Sequence, residues 1–102
     1  MWILRCADET REQTLRLPAG AIKTIGRGPR SDFSVDATLL SRVHCRLTST
    51  SDTLVVEDLG STNGTFVNDQ RVGRAELADG DRVRLGRLVF EVSKETATEA
   101  RR

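Results

Sequence analysis

Apolar and polar residues alternate with period two along most of the chain. Trp2, Leu4 and Cys6 are interleaved with Ile3 and Arg5, Val83 and Leu85 with Arg82 and Arg84, and Leu88, Phe90 and Val92 with Val89 and Glu91. Such alternation marks a β-strand with one buried face. Further strands are predicted at Thr14–Leu17, Ala21–Ile25, Phe33–Val35, Val43–Thr48, Leu54–Glu57, Thr65–Val67 and Arg71–Val72, with Val43, Cys45 and Leu47 facing the core. Turn-forming clusters separate them: Pro18-Ala19-Gly20, Gly28-Pro29-Arg30, Asn63-Gly64, Asn68-Asp69, Asp79-Gly80 and Leu85-Gly86-Arg87. Many short strands at this spacing imply an all-β antiparallel sandwich or barrel. The stretch 94–102 is polar, offers no core face and reads as a flexible C-terminal tail or linker after a domain over 1–93.

With 102 residues, 37% apolar and 30% charged, the chain has room for one globular domain. It could be a whole small protein or the first module of a longer one. No apolar run approaches the roughly 20 residues of a membrane helix, and the N-terminus lacks the pattern of a signal peptide, so no membrane partner and a cytoplasmic location are expected. A net charge of +1 and only four aromatics (Trp2, Phe33, Phe66 and Phe90) argue against nucleic-acid binding by bulk charge or base stacking. Arginine outnumbers lysine 14 to 2, which suits anion recognition but equally fits a coding bias. Cys6 and Cys45 fall in strand-like segments and read as free, buried thiols; with a single histidine and no Cys-x-x-Cys, no metal or other cofactor is expected.

Three clusters carry the chemistry. In Ile25-Gly26-Arg27-Gly28 an arginine sits at a strand end between glycines, which permit a sharp turn or the close approach of another segment; an ordinary surface arginine is the plainer alternative. In Leu40-Ser41-Arg42-Val43-His44, a hydroxyl and a guanidinium lie side by side before a strand and can serve one anion, while His44 reads as a loop brace. In Asp58-Leu59-Gly60-Ser61-Thr62-Asn63-Gly64-Thr65, the Asn-Gly pair is a hairpin signal, but the loop is longer and richer in side chains than a two-residue hairpin requires. A nucleotide-binding glycine loop is excluded, because no third glycine stands at the required offset and no Gly-Lys-Ser/Thr occurs. A Ser41/His44/Asp58 hydrolase is disfavoured: residues three apart on a strand face opposite ways, and there is no Gly-x-Ser-x-Gly elbow. No enzymatic activity is expected.

Taken in order on an all-β chain, Gly26-Arg27, Ser41-Arg42-Val43-His44 and Gly60-Ser61-Thr62-Asn63-Gly64-Thr65 resemble the forkhead-associated (FHA) domain, a phosphothreonine-binding module. The resemblance runs from about Trp2 to Ser93 and rests on all three motifs together, with Asp58-Leu59 leading into the third and Phe66-Val67-Asn68 closing it. It implies a β-sandwich of about eleven strands in two sheets, with ligand loops at one end. It also implies that Arg27, Ser41, Arg42 and Thr62 bind the phosphate and that Asn63 holds the peptide backbone. Gly26, His44, Gly64 and Asn68 would be structural supports. The implied partners are a phosphothreonine protein and an upstream Ser/Thr kinase.

Two departures from the family pattern stand out. The residue two before the motif serine, which in the family often helps read the third residue after the phosphothreonine, is the apolar Leu39. Asn68-Asp69 stands where Asn-Gly is more usual. A phosphate-independent interaction module of the same fold is the alternative function. The chain is expected to be a monomer, with phospho-dependent self-association through Thr96 or Thr98 as a further possibility.

Overall fold

The computed structural model describes residues 1–7 and 12–95. Among them are eleven strands and no helix: β1 (Trp2–Ala7), β2 (Glu12–Leu17), β3 (Ile22–Gly26), β4 (Phe33–Ser34), β5 (Cys45–Ser49), β6 (Leu54–Asp58), β7 (Thr65–Val67), β8 (Gln70–Val72), β9 (Arg74–Leu77), β10 (Arg82–Leu85) and β11 (Leu88–Lys94). They form two sheets, in the orders β2-β1-β11-β10-β7-β8 and β4-β3-β5-β6-β9. The expected sandwich of about eleven strands in two sheets is what the chain builds. All pairings are antiparallel except β3 with β4, which run parallel through Ile25↔Phe33 and Gly26↔Ser34.

The period-two pattern determines which residues fill the space between the sheets. Trp2, Leu4 and Cys6 of β1, Val83 and Leu85 of β10, and Leu88, Phe90 and Val92 of β11 come from one sheet; Ile25, Cys45, Leu47, Leu54 and Val56 come from the other. Each large apolar side chain buried this way contributes about 1.5–3 kcal/mol. The interleaved residues point outward, where the Arg84 guanidinium lies 4.1 Å over the Phe66 ring. The outer edge of β3 beside the short β4 is closed by Asp32, whose carboxylate accepts the Thr24 amide (2.8 Å) and hydroxyl (3.1 Å). Those bonds hold the Asp32 carboxyl below the usual carboxylate range and leave the edge amide unavailable to another strand.

Four expectations need correction. Strand β9 was not predicted, although Arg74-Ala75-Glu76-Leu77 alternates; its inward residues are only a small alanine and one leucine. Val43 was placed on a strand facing the core, yet β5 begins at Cys45 and Val43 is half-exposed in a bend. Asn63-Gly64 does not close a hairpin, because β6 and β7 belong to different sheets and the loop between them crosses the sandwich. Lys94, expected to open the tail, is the last residue of β11; Trp2 pairs with it, and Met1 and Glu95 exchange N–H···O=C bonds of 2.9 and 2.8 Å. The rest of that tail, Thr96 and Thr98 included, lies outside the described residues.

The two-residue hairpin in this region is the one joining β7 to β8. Asn68 and Asp69 both have positive φ, 50° and 70°, the backbone of a type I′ turn, for which Asn-Gly is the favoured pair. Aspartate tolerates this conformation at some cost. Asp69→Gly is therefore expected to stabilise the domain by about 0.5–1 kcal/mol, raising Tm by a few degrees in a thermal melt. A lowered Tm would show that the Asp69 side chain contributes more than the backbone strain costs.

Candidate functional site

The loops after β3, before β5 and between β6 and β7 meet at one end of the sandwich, and their backbones are fastened to each other before any side chain is presented. The Arg42 carbonyl accepts the Gly28 amide (2.9 Å) and the Ser31 hydroxyl (2.6 Å). A Cβ on Gly26 would stand 2.1 Å from that carbonyl oxygen and 2.4 Å from Ser31 Oγ, so only glycine allows the loops to come this close. The Arg27 amide donates to the Ser41 carbonyl (2.9 Å), and its Nε donates to the Leu40 carbonyl (3.2 Å). With Nε engaged, the four N–H bonds on its two terminal nitrogens remain for a ligand.

His44 is fully buried and connects two of these loops. Its Nδ1 accepts the Ser41 amide (3.1 Å), and its Nε2 lies 2.8 Å from the Gly64 carbonyl. A carbonyl can only accept, so Nε2 carries the proton and Nδ1 is the acceptor: the neutral ring satisfies both neighbours. Its own backbone joins in, with its amide donating to the Ile25 carbonyl (2.8 Å) and its carbonyl accepting from Leu59 (3.0 Å). The loop does curl enough for residues 41 and 44 to meet, but through a main-chain amide. The Ser41 hydroxyl instead accepts the Thr62 amide (3.0 Å), and no serine–histidine catalytic pair forms.

The third loop is shaped by Asp58. Its carboxylate accepts the amides of Gly60 and Ser61 (3.1 Å each), the Ser61 hydroxyl and the Thr65 hydroxyl (2.8 Å). Burial alone would raise the Asp58 carboxyl, but the bonds from Ser61 and Thr65 outweigh it and hold the group below its ordinary value. The Ser61 hydroxyl passes the connection on by accepting the Gly64 amide (2.9 Å), where φ is +91°. Asp58 and Ser61 are supports that the sequence reading left unassigned. An aspartate two residues before a turn glycine, whose carboxylate can accept that amide as in an Asx-turn, is the signal the sequence carries. Ser31 had no comparable signal, since its partner is eleven residues away.

On this framework Arg27, Leu39, Ser41, Arg42, Thr62 and Asn63 line one open depression of about 380 Å³, together with Thr38 and Leu40. Among the described residues no carboxylate lines it. Ser41 Oγ, already accepting from Thr62, still has its own proton to donate. Asn63 Nδ2 donates to the Leu39 carbonyl (2.9 Å), leaving its Oδ1 and second N–H for another backbone. Gly26, His44 and Gly64 lie beneath the rim. Asn68 is elsewhere: it fastens the far end of β7 to β10, accepting the Arg82 amide (3.0 Å) and donating to Asp81 (3.1 Å). Both cysteines are buried, and burial, aided by the nearby Asp58 charge, pushes the Cys45 thiol up to about 12, so it is inert.

A family model described as the FHA domain matches residues 23–86, more than half of the chain. The glycogen accumulation regulator GarA of Mycobacterium tuberculosis is 44% identical over 72 residues, covering 69% of this chain and 44% of GarA, so the chain spans less than half the length of that relative. The FHA domain of FhaA, solved in complex with the intracellular domain of Rv3910, superposes with a TM-score of 0.82 at 36% identity over 90% of this chain and 99% of that one. A chain from a structural and functional study of phosphothreonine-dependent FHA domain interactions gives 0.81 at 35% identity over 93% and 97%.

The brace at His44 makes a measurable claim. His44→Ala leaves the Ser41 amide and the Gly64 carbonyl without their partner, and each buried unsatisfied group costs about 1–3 kcal/mol. The expected Tm loss in a thermal melt is roughly 10 °C or more. An unchanged Tm would remove the bracing role.

Proposed function

The chain belongs to the FHA domain family, a family of binding modules, and from that premise we propose that it reads phosphothreonine in a partner protein, downstream of a Ser/Thr protein kinase. The observation that carries this reading is the depression itself. Three separate loops bring Arg27, Ser41, Arg42, Thr62 and Asn63 to one hollow that no carboxylate of the described residues lines. A phosphoryl group carries about −1.5 to −2 charges and three strong acceptor oxygens. The free terminal nitrogens of Arg27, the Arg42 guanidinium and the hydroxyls of Ser41 and Thr62 match that demand. Asn63, with its spare carbonyl and N–H, is the group for the peptide backbone. Because Gly26, His44 and Asp58 hold the loops before ligand arrives, little ordering cost is paid on binding.

Calorimetric titration with phosphothreonine peptides, against matched unphosphorylated and phosphoserine peptides, tests the reading. Binding should require phosphothreonine, with the added methyl group favouring it over phosphoserine as the family resemblance implies. Each bond to a charged group contributes about 1.5–3 kcal/mol, so Arg27→Ala should weaken binding by about ten- to a hundredfold without unfolding the domain. Wild-type affinity in folded Arg27→Ala would refute the assignment. Silence from every peptide in a folded protein would favour a phosphate-independent interaction module.

The position read by Leu39 is expected to select an apolar residue, or to select weakly, three places after the phosphothreonine. Leu39 is 37% exposed and opens onto an adjoining hollow of about 260 Å³, shared with Asp36, Ala37, Thr38, Arg87 and Leu88. Asp36 and Arg87 carry opposite charges on that wall. Strong selection for aspartate in a phosphopeptide library would overturn this preference.

A further inference from the structure

A second hollow adjoins the phosphate depression on the side of Arg42. It measures about 500 Å³ and is lined by Gly28, Pro29, Arg30, Arg42 and Val43. Arg42 lines both hollows. Its placement follows from the backbone: a Cβ on Gly28 would come within 2.9 Å of Arg42 Cβ, so the stem of Arg42 lies across a bare glycine. Arg30 is exposed at the other part of the wall. Neither guanidinium has an ion-pair partner among the described residues, and no carboxylate lines either hollow. Arg46, by contrast, is neutralised by Glu57 at 2.8 Å.

Two adjacent, unneutralised arginines on an otherwise acid-free wall leave uncompensated positive charge next to a site that needs only part of it. We propose that the hollow of Arg30 and Arg42 is a second anionic subsite, which selects ligands carrying another negative group close in sequence to the phosphothreonine. Arg42 is shared between the two charges, while Arg30 serves the second alone. Pro29, whose φ is fixed, and the half-exposed Val43 supply an apolar wall against which the connecting peptide lies. The chemistry required is an oxyanion, and either a second phosphoryl group or a glutamate or aspartate side chain provides it. This inference rests on the phosphothreonine reading above.

The test is a titration of one phosphothreonine peptide and of derivatives bearing a second phosphoserine, or a glutamate, moved stepwise along both flanks, against wild type and Arg30→Ala. In wild type, a second charge at one flanking position should tighten binding by about two- to fivefold, as expected of a solvent-accessible charge pair. The gain should shrink in high salt. Arg30→Ala should bind the singly phosphorylated peptide like wild type and lose the gain. A larger gain from phosphoserine than from glutamate identifies a doubly phosphorylated ligand; equal gains identify an acidic flank. No gain at any position in wild type, or a gain that survives Arg30→Ala, overturns the subsite. Folded wild type that binds no member of the series, with or without the second charge, would instead count against the phosphothreonine reading on which the subsite depends.

Discussion

A single buried imidazole holds the ligand end of this domain in register. His44 is the only histidine, and its two ring nitrogens are committed to opposite duties, one accepting from Ser41 and the other donating to Gly64. Those partners belong to two different loops, one preceding the five-stranded sheet's β5 and the other entering the six-stranded sheet at β7. A neutral imidazole is the side chain with one donor and one acceptor fixed at opposite sides of a rigid ring. An amide side chain has both functions but on one short fork, and a hydroxyl cannot span the gap.

Around that ring the main-chain polar groups connect the remaining loops. The Arg42 carbonyl gathers Gly28 and Ser31, Arg27 is fixed at both its amide and its Nε, and Asp58 collects four donors from the loop that follows it. The side chains lining the hollow are therefore mostly those whose other ends are already anchored. This is pre-organisation in the sense that matters for affinity: the side-chain and loop entropy has been lost on folding rather than on binding.

Much of this could be read along the chain, for reasons that differ by element. Strands β1, β10 and β11 were plain because a strand packed on one face must alternate, and they carry large inward residues such as Leu4, Leu85 and Phe90. Strand β9 escaped notice because Ala75 and Leu77 offer little apolar contrast. The Asn63-Gly64 pair misled in a specific way. Local turn chemistry reports that the backbone bends, not which strand comes next in the sheet, and here the neighbours lie in opposite layers. The candidate residues Arg27, Ser41, Arg42, Thr62 and Asn63 stand in three separate motifs, and the fold brings all five to one hollow. The support Ser31 acts through a contact eleven residues away, which period and turn signals do not encode, whereas Asp58 bonds within its own turn.

The pairing of β1 with β11 also decides how the domain can be mounted. Met1 and Glu95 are joined by two main-chain bonds, whereas β11 begins at Leu88, just after the Gly86 turn that packs against Leu39 beside the ligand hollow. Seven residues of strand, about 3.3 Å each, separate the entry and exit of the fold from the end that carries the hollow. Splicing the unit into a surface loop of a host protein thus requires closing only a gap of hydrogen-bond width, with a small entropic penalty. The fold behaves like a plug whose two leads emerge together at its base, so a host could carry it without shading the end that faces outward.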